Sequence, residues 1–253
     1  MADVTLQGVT KRFGDVVAVD DLSVGIKHGE FFVVVGPTAC GKTTLLRLIA
    51  GLLKPDSGEI YFDGEPVDHL RPAERGVRMV FQSYALYPHM KVFDRKRQSN
   101  LSFALMIHKF MPEKLIERVE AVARRIGIEK QLYARKPDQL SEGQKQKVAV
   151  GRAITLPPKM LLMDEPLSNL DPQSRLKSRT EIRKLHEELR ATTVYVTHDL
   201  AEAFTLADTL AVMHRGKFVQ IGRPREIYRN PVNRFVEEFV TSYEALIREA
   251  FDR

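Results

Sequence analysis

Residues 36–43 read Gly36-Pro37-Thr38-Ala39-Cys40-Gly41-Lys42-Thr43. This segment follows the apolar run 31–35 and precedes the run 45–50, whose apolar residues have helical spacing. A glycine, four residues and then Gly-Lys-Thr, placed between a strand and a helix, are typical of a phosphate-binding P-loop. The backbone N–H groups of such a loop surround a polyphosphate, and the following helix directs its positive N-terminus at it. The alternative interpretation is an ordinary Gly/Pro turn.

The amino-acid composition of the chain limits the classes of protein to which it can belong. The chain has 253 residues, of which 43% are hydrophobic and 28% are charged, as in globular proteins. No run reaches the ~18–20 apolar residues that cross a membrane, and the polar residues 1–7 do not predict a secretion signal. The single cysteine, Cys40, excludes an intramolecular disulfide and indicates a reducing compartment. The net charge of +6 favours anionic partners, although solubility alone also explains it.

The pattern of apolar residues predicts an α/β fold. Short strands within 4–26, with a turn at 10–15, indicate a small antiparallel region before the P-loop. Helices are predicted at 101–106, 112–127 and 141–154. We therefore expect one domain, 1–253, in which 1–86 and 157–232 form the α/β core, 87–156 an inserted helical subdomain and 233–253 a C-terminal helical tail.

Two acids, Asp164 and Glu165, end the buried apolar run 160–163. In a P-loop enzyme, an acid at this position holds Mg²⁺ through water, and a neighbouring acid polarises the attacking water as general base. Two adjacent acids at a strand end are, however, often only solvated. A third motif, Leu140-Ser141-Glu142-Gly143-Gln144, has the spacing of a helix capping box. The same helix start would also suit a γ-phosphate.

Taken in this order, the three motifs resemble those of the ATP-binding subunit of ABC transporters, over residues 4 to about 240. The signature at 140–144 is specific to that class, whereas the P-loop and Asp-Glu-Pro are shared with other ATPases. The segments 81–90 and 164–171 look closest to maltose- and multiple-sugar-type importers. The resemblance implies a P-loop NTPase fold with a RecA-like core, an antiparallel β subdomain and an inserted α-helical subdomain.

The resemblance also assigns roles to individual residues. ATP would be bound by Phe13, stacking on adenine, by Gly36, Pro37, Thr38, Ala39, Cys40, Gly41, Lys42, Thr43 and Thr44, and from a partner subunit by Ser141, Gly143, Gln144 and Asp171. Mg²⁺ would be held by Thr43, Gln82 and Asp164, and the catalytic residues would be Glu165, His198, Gln82 and Lys42. Simpler interpretations exist for four of them: a core or turn aromatic for Phe13, a strand-end polar residue for Gln82, a helix N-cap for Asp171 and a surface histidine for His198.

The function implied by the resemblance is ATP-driven import of a sugar or a similar small solute. Two copies would close head-to-tail over two MgATP, and transmembrane permease subunits would dock near 84–93. A solute-binding protein would be an indirect partner, no nucleic acid is expected, and the chain would lie in the cytoplasm on the inner face of the membrane. The alternatives are a soluble ABC-class ATPase of translation or DNA repair, and a slow-hydrolysing regulatory nucleotide-binding protein.

The sequence departs from the family pattern at several places. Ala39 and Glu142 stand where glycine is usual, and together they predict slow turnover. If position 39 needs φ > 0, alanine costs on the order of 1 kcal/mol of strain. The basic segment 95–99 is predicted to be a solvated loop, with contact to acidic membrane-subunit loops or lipid headgroups as the alternative. The chain also stops where sugar-type subunits continue into a β-rich regulatory domain, so we expect either a subunit without that domain or a truncated sequence.

Overall fold

The computed structural model describes residues 3–241 and contains two β-sheets with flanking helices. Within that range the strands are β1 (Val4–Phe13), β2 (Val16–Ile26), β3 (Phe31–Val35), β4 (Ser57–Phe62), β5 (Glu65–Pro66), β6 (Val77–Val80), β7 (Met160–Asp164), β8 (Thr192–Thr197), β9 (Thr209–His214) and β10 (Lys217–Gly222). The α-helices are α1 (Lys42–Ile49), α2 (Phe103–Ile107), α3 (Pro112–Arg125), α4 (Glu142–Thr155), α5 (Pro172–Leu189), α6 (Leu200–Leu206), α7 (Pro224–Arg229) and α8 (Arg234–Thr241). None of these helices combines the length and apolar character that crossing a membrane requires.

The larger sheet has the strand order β10-β9-β3-β8-β7-β6 and is parallel except for β10. Side chains of β3 alternate between its faces: Phe31, Val33 and Val35 pack with α4, α5 and α6, whereas Phe32 and Val34 pack with α1 and the smaller sheet. Because both faces are covered, the strands need apolar residues at every position, which explains the uninterrupted apolar runs.

The smaller sheet is antiparallel, with the order β2-β1-β4-β5. The predicted turn at 10–15 was too long: β1 continues to Phe13, which pairs with Val16, so only Gly14 and Asp15 lie between the strands. Gly14 has a φ of 56°, which glycine adopts at no steric cost. The predicted breaks within 16–26 are also absent from this part of the described chain, where β2 is a single strand.

The three helices of the region 87–156 begin and end within two residues of the predicted limits. They share their own apolar cluster, in which Leu105, Val119 and Val148 are fully buried. The division of the chain into a core and an inserted subdomain stays a prediction. Helix α8 lies in the predicted tail, and residues 242–253 lie outside the described part of the chain.

The basic segment 95–99 is only partly a solvated loop. Its residues 95–98 are exposed, and the Arg95 guanidinium lies 2.7 Å from a carboxylate oxygen of Glu120. Ser99 is fully buried and its Oγ lies 2.6 Å from Oγ of Ser102. Contacts at both ends therefore hold the segment in place, whereas the prediction was a solvated loop.

Arg75 closes the C-terminal end of α1, the helix that follows the P-loop. Its side chain is 1% exposed, and its Nη1 donates to the carbonyls of Leu48 (2.9 Å) and Ile49 (3.0 Å). The last carbonyls of a helix lack partners within the helix. Here the buried guanidinium of Arg75 is the hydrogen-bond partner of two such carbonyls. Its burial lowers the pKa of Arg75.

Replacing Arg75 with methionine is expected to lower the free energy of unfolding by about 2–3 kcal/mol, because buried carbonyls lose their donors. Urea unfolding followed by circular dichroism measures this change. The matched control is Arg71→Met, at a side chain that is 82% exposed, where we expect a change of about 0.5 kcal/mol or less. Equal losses in the two variants would contradict the capping role of Arg75.

Candidate functional site

The parallel register of the larger sheet brings three chain segments to one edge. Val35 pairs with Thr197, and Asp164 pairs with Val196, so β3, β7 and β8 end at nearly the same level. The P-loop therefore emerges beside Glu165 and His198. In open α/β sheets, ligands bind at the carboxyl ends of the strands.

Two glycines let the P-loop pass close to neighbouring backbone. A Cβ at Gly36 would lie 2.1 Å from the Met213 carbonyl oxygen, and one at Gly41 would lie 2.1 Å from that of Ala18. Gly41 also has a φ of 112° and immediately precedes α1. Because of these contacts, no larger residue fits at either position. In addition, the first N–H groups of α1 lack hydrogen-bond partners within the helix. The loop is therefore built as a cradle for an anion.

Lys42 points back into this cradle. It is 5% exposed, and its Nζ donates to the carbonyls of Gly36 and Pro37, each at 2.9 Å. Its third contact is Cys40 Sγ at 3.8 Å. All three acceptors are neutral, so the positive charge of the ammonium remains available to an anion. Burial raises the pKa of the Cys40 thiol, against the opposing effect of Lys42.

Thr43 and Asp164 are directly connected: the Thr43 hydroxyl donates to Asp164 Oδ1 at 2.9 Å. Burial raises the pKa of Asp164, and the charge of Glu165 adds to this effect, while the Thr43 hydrogen bond opposes it. A buried carboxylate of this kind is stabilised by a cation. Within residues 3–241 no group of three or more His, Cys, Asp or Glu side chains converges. A divalent ion here would thus take other oxygen ligands from water or phosphate, as Mg²⁺ commonly does.

Glu165 and His198 form a second connected pair, with Nδ1 of His198 2.9 Å from Oε2 of Glu165. Glu165 has a left-handed φ of 44°, and its N–H donates to the carbonyl of Val196. Backbone strain at such a position is often found at functional sites. Gln82 follows β6, and its carbonyl accepts a hydrogen bond from the Asn169 amide at 3.1 Å.

Most of these residues line one cavity of about 530 Å³, which is large enough for a cofactor-sized ligand. Its lining comprises Phe13, Ala18, Thr38, Ala39, Cys40, Gly41, Lys42, Thr43, Thr44, Gln82, Glu165 and His198. Gly36, Pro37 and Asp164 lie outside the lining and are hydrogen-bonded to the lining residues Lys42 and Thr43. Phe13 is 49% exposed and is therefore not a core aromatic. The predicted ATP, Mg²⁺ and catalytic residues of the first half of the site are thus neighbours, and their roles stay predictions.

The remaining predicted ATP-binding residues lie outside the cavity. Ser141 Oγ accepts from the Gln144 N–H, and Gln144 Oε1 accepts from the Ser141 N–H, so the capping-box interpretation is correct. Asp171 Oδ1 accepts from the Ser174 N–H at the start of α5. Among residues 3–241, apart from the chain neighbours of Gly143 and the backbone of its own helix, no atom lies within 4 Å of a Cβ built at this position. The packing of this chain therefore gives no reason for a glycine at that position.

Sequence reasoning missed a buried network beneath His198. Glu202 Oε2 accepts from the Tyr195 hydroxyl (2.7 Å) and the Thr197 hydroxyl (2.9 Å), and Thr197 Oγ1 accepts from the Asp199 N–H (3.0 Å). Burial raises the pKa of Glu202. The network fixes the backbone on both sides of His198. The available signal was the polar residues of β8, its threonines and Tyr195, in a strand whose residues are all buried. Ala18 was missed as well, since nothing distinguishes it within its apolar run.

Ala39 adopts a φ of 62°. Replacing it with glycine is expected to raise the free energy of unfolding by about 1 kcal/mol, since glycine adopts positive φ without steric cost. Ala121→Gly is the control, because Ala121 lies in the interior of α3, and there we expect a loss of about 1 kcal/mol. Urea unfolding measures both, and a loss in the two variants alike would refute the strain at position 39.

The raised pKa of Asp164 predicts a pH dependence of stability without metal or nucleotide. A carboxyl with a folded pKa above its ordinary value of 3.8 binds more protons in the folded state, so stability falls as the pH rises through that window. Asp164→Asn should remove this fall and stabilise the protein at neutral pH.

Asp171→Asn is the control with the opposite sign, because hydrogen bonds from Ser174 lower the pKa of Asp171. The contribution of Asp171 to stability is therefore lost as the pH falls. Thermal unfolding from about pH 2 to pH 8 covers both windows, above 3.8 for Asp164 and below 3.8 for Asp171. Parallel profiles of Asp164→Asn and the unsubstituted chain would exclude the effect.

The family model described as "ABC transporter" matches residues 19–168. Among curated proteins, the trehalose/maltose import ATP-binding protein MalK of Thermococcus litoralis is 48% identical over 248 residues, covering 96% of this chain and 65% of that protein. The sn-glycerol-3-phosphate import ATP-binding protein UgpC of Pectobacterium atrosepticum is 48% identical, covering 96% and 66%. The chain spans 61–66% of the length of the curated relatives it matches.

Solved structures give the same result. The dimeric post-hydrolysis structure of the ATP-binding cassette MJ0796 with ADP and Pi has a TM-score of 0.76 and 30% identity, covering 88% of this chain and 99% of that one. The structure of cbiO1 from Clostridium perfringens has a TM-score of 0.80 and 28% identity, covering 98% and 97%. The predicted α/β P-loop fold is thereby confirmed, and the chain belongs to the ABC transporter family.

Proposed function

We propose that the chain is the ATP-binding and ATP-hydrolysing subunit of an ABC transporter that imports a sugar or a similar small solute. The observation that carries this proposal is the cavity lined by Lys42, Thr43 and the Glu165–His198 pair, with the Asp164 carboxylate hydrogen-bonded to the Thr43 hydroxyl beside it. The relatives named as import ATP-binding proteins of trehalose, maltose and sn-glycerol-3-phosphate support the choice of solute class.

The cavity suits a nucleoside triphosphate. The backbone N–H groups at the start of α1 and the Lys42 ammonium face the phosphates, while the half-exposed Phe13 ring offers a surface for adenine stacking. The close backbone contacts at Gly36 and Gly41 hold the loop in this shape before any ligand enters. Binding therefore needs little reorganisation of the loop.

The oxygen donors for Mg²⁺ are the Thr43 hydroxyl, the Asp164 carboxylate and the Gln82 carboxamide. Hydroxyl, carboxylate and amide oxygens are the ligands that this ion prefers, and the buried Asp164 gains most from a nearby cation. When bound, Mg²⁺ supplies positive charge that neutralises the phosphates. Thr43 and Asp164 already lie in contact, so the two donors are held together in the folded chain.

Hydrolysis assigns separate tasks to Glu165 and His198. Glu165 accepts a proton from the attacking water as general base. The Nδ1 of His198 faces Glu165, which leaves Nε2 for the γ-phosphate. Donation from both ring nitrogens at once requires the imidazolium form, since neutral histidine has only one N–H. The Glu202 network holds the strand end that carries the ring.

A second copy completes the site. Ser141, Gly143, Gln144 and Asp171 lie outside the cavity, and the space around Gly143 leaves room for a ligand held by another chain. The proposed partners are therefore a second identical subunit and transmembrane permease subunits, with a solute-binding protein as an indirect partner. The proposed location is cytoplasmic, on the inner face of the cell membrane.

The test is Glu165→Gln. Without a general base, ATP hydrolysis should fall by at least 10²-fold, while ATP binding is retained and the unhydrolysed nucleotide keeps two copies together. Phosphate release measures the rate, and sedimentation velocity with MgATP measures the dimer. Glu113→Gln, at an exposed position in the first turn of α3, is the control and should leave both unchanged.

The same comparison distinguishes the proposed ATPase from the alternative, a slow-hydrolysing regulatory nucleotide-binding protein. The strain at Ala39 favours that alternative. Equal hydrolysis rates for the unsubstituted chain and Glu165→Gln would support that alternative and contradict the proposed ATPase. Loss of activity without an ATP-dependent dimer in Glu165→Gln would instead overturn the proposed two-chain site.

A further inference from the structure

A second cavity lies between α3, α4 and α5, and it shares no lining residue with the cavity at the P-loop. We call it the α4–α5 cavity. Its volume is about 250 Å³, which is the size for a small metabolite rather than a nucleotide. Ile126, Val150, Ile182 and Leu185 give it an apolar wall. The ATPase site described above uses none of these residues.

Gln146 is the buried polar residue of this cavity. It lines the cavity and is 3% exposed, and its Oε1 has no hydrogen-bond partner within residues 3–241. Buried polar atoms are nearly always hydrogen-bonded, because losing water without a replacement partner is unfavourable. A ligand that carries a hydroxyl group would supply the missing donor.

The charged residues of the cavity are mainly cationic. Two ion pairs connect its walls, Lys147 with Glu181 at 3.1 Å and Arg125 with Glu188 at 2.5 Å. The side chains of Arg124 and Lys184 are exposed, line the same cavity and make no hydrogen bond or ion pair with residues 3–241. The cavity therefore carries a positive excess at its exposed side and an unpaired acceptor at a buried position.

We propose that the α4–α5 cavity binds a small hydroxylated organic anion. The anionic group lies between Arg124 and Lys184, whose guanidinium and ammonium groups recognise phosphate or carboxylate. A hydroxyl group donates to Gln146 Oε1, and the carbon skeleton packs on the apolar wall. Such a ligand contacts both α4, which follows the signature residue Ser141, and α5, which follows Asp171.

The probe is glycerol 2-phosphate, a small phosphate monoester with two hydroxyl groups, titrated calorimetrically into the full chain. We expect its affinity to fall at least tenfold in Gln146→Leu, which removes the acceptor, and in the double variant Arg124→Gln/Lys184→Gln. Lys177→Gln changes an exposed charge of α5 outside the cavity and should leave the affinity within twofold. Any anion binding at the P-loop is common to all four proteins and does not affect the comparison.

The two halves of the probe test the two contacts. Inorganic phosphate lacks the hydroxyl groups and glycerol lacks the charge, so each should bind at least tenfold more weakly than glycerol 2-phosphate. Should Gln146→Leu fail to fold, as judged by thermal unfolding, the exposed double variant decides alone. No binding of glycerol 2-phosphate, or equal affinity in the unsubstituted chain and the double variant, would overturn the proposal. Neither result bears on ATP hydrolysis.

Discussion

The constraint on which the site depends is the parallel register of β3, β8 and β7. Val35 lies beside Thr197, and Val196 lies beside Asp164, so three strands end at one edge of the sheet. A shift by one residue would turn each side chain to the opposite face. Because both faces of the sheet are closely packed, such a shift would also bring side chains of the wrong shape against each face. The chemistry at the edge is thus fixed by the packing of the core.

Polar groups at this edge are joined in pairs rather than left free. Thr43 holds Asp164, Glu165 holds His198, and Glu202 holds Thr197 beneath them. The Thr43–Asp164 and Glu165–His198 pairs connect segments that are distant in the chain, so the positions of these groups depend on a neighbouring strand, whereas Glu202 and Thr197 are neighbours in sequence. Burial raises the pKa of Asp164 and of Glu202. The folded chain therefore maintains buried acids whose charged forms are disfavoured until a cation is near Asp164.

The two halves of the proposed nucleotide site differ in how complete they are. The P-loop half is a formed cavity, held by close backbone contacts at Gly36 and Gly41. The other half, around Ser141 and Gly143, consists of a helix start whose side chains make a capping box and an ion pair of Glu142 with Lys145, all within the same helix start. A helix start with open space beside it is suited to contact with another chain. The α4–α5 cavity lies behind this helix and offers a separate place where a ligand would act on it.

The sequence by itself determined the fold class, the three motifs and the family, because apolar periodicity and the spacing of Gly-x₄-Gly-Lys-Thr act locally. It also raised the question of φ at Ala39. Only the tertiary structure decided that φ is 62°, that Phe13 ends a strand, and that Glu202 supports His198. It also decided that Gln146 lines a cavity with Arg124 and Lys184. The cavity joins residues far apart in the chain, and local patterns carry no information about which distant groups will meet. The φ of Ala39, the end of β1 and the contacts of Glu202 are local, but they depend on how the surrounding chain packs.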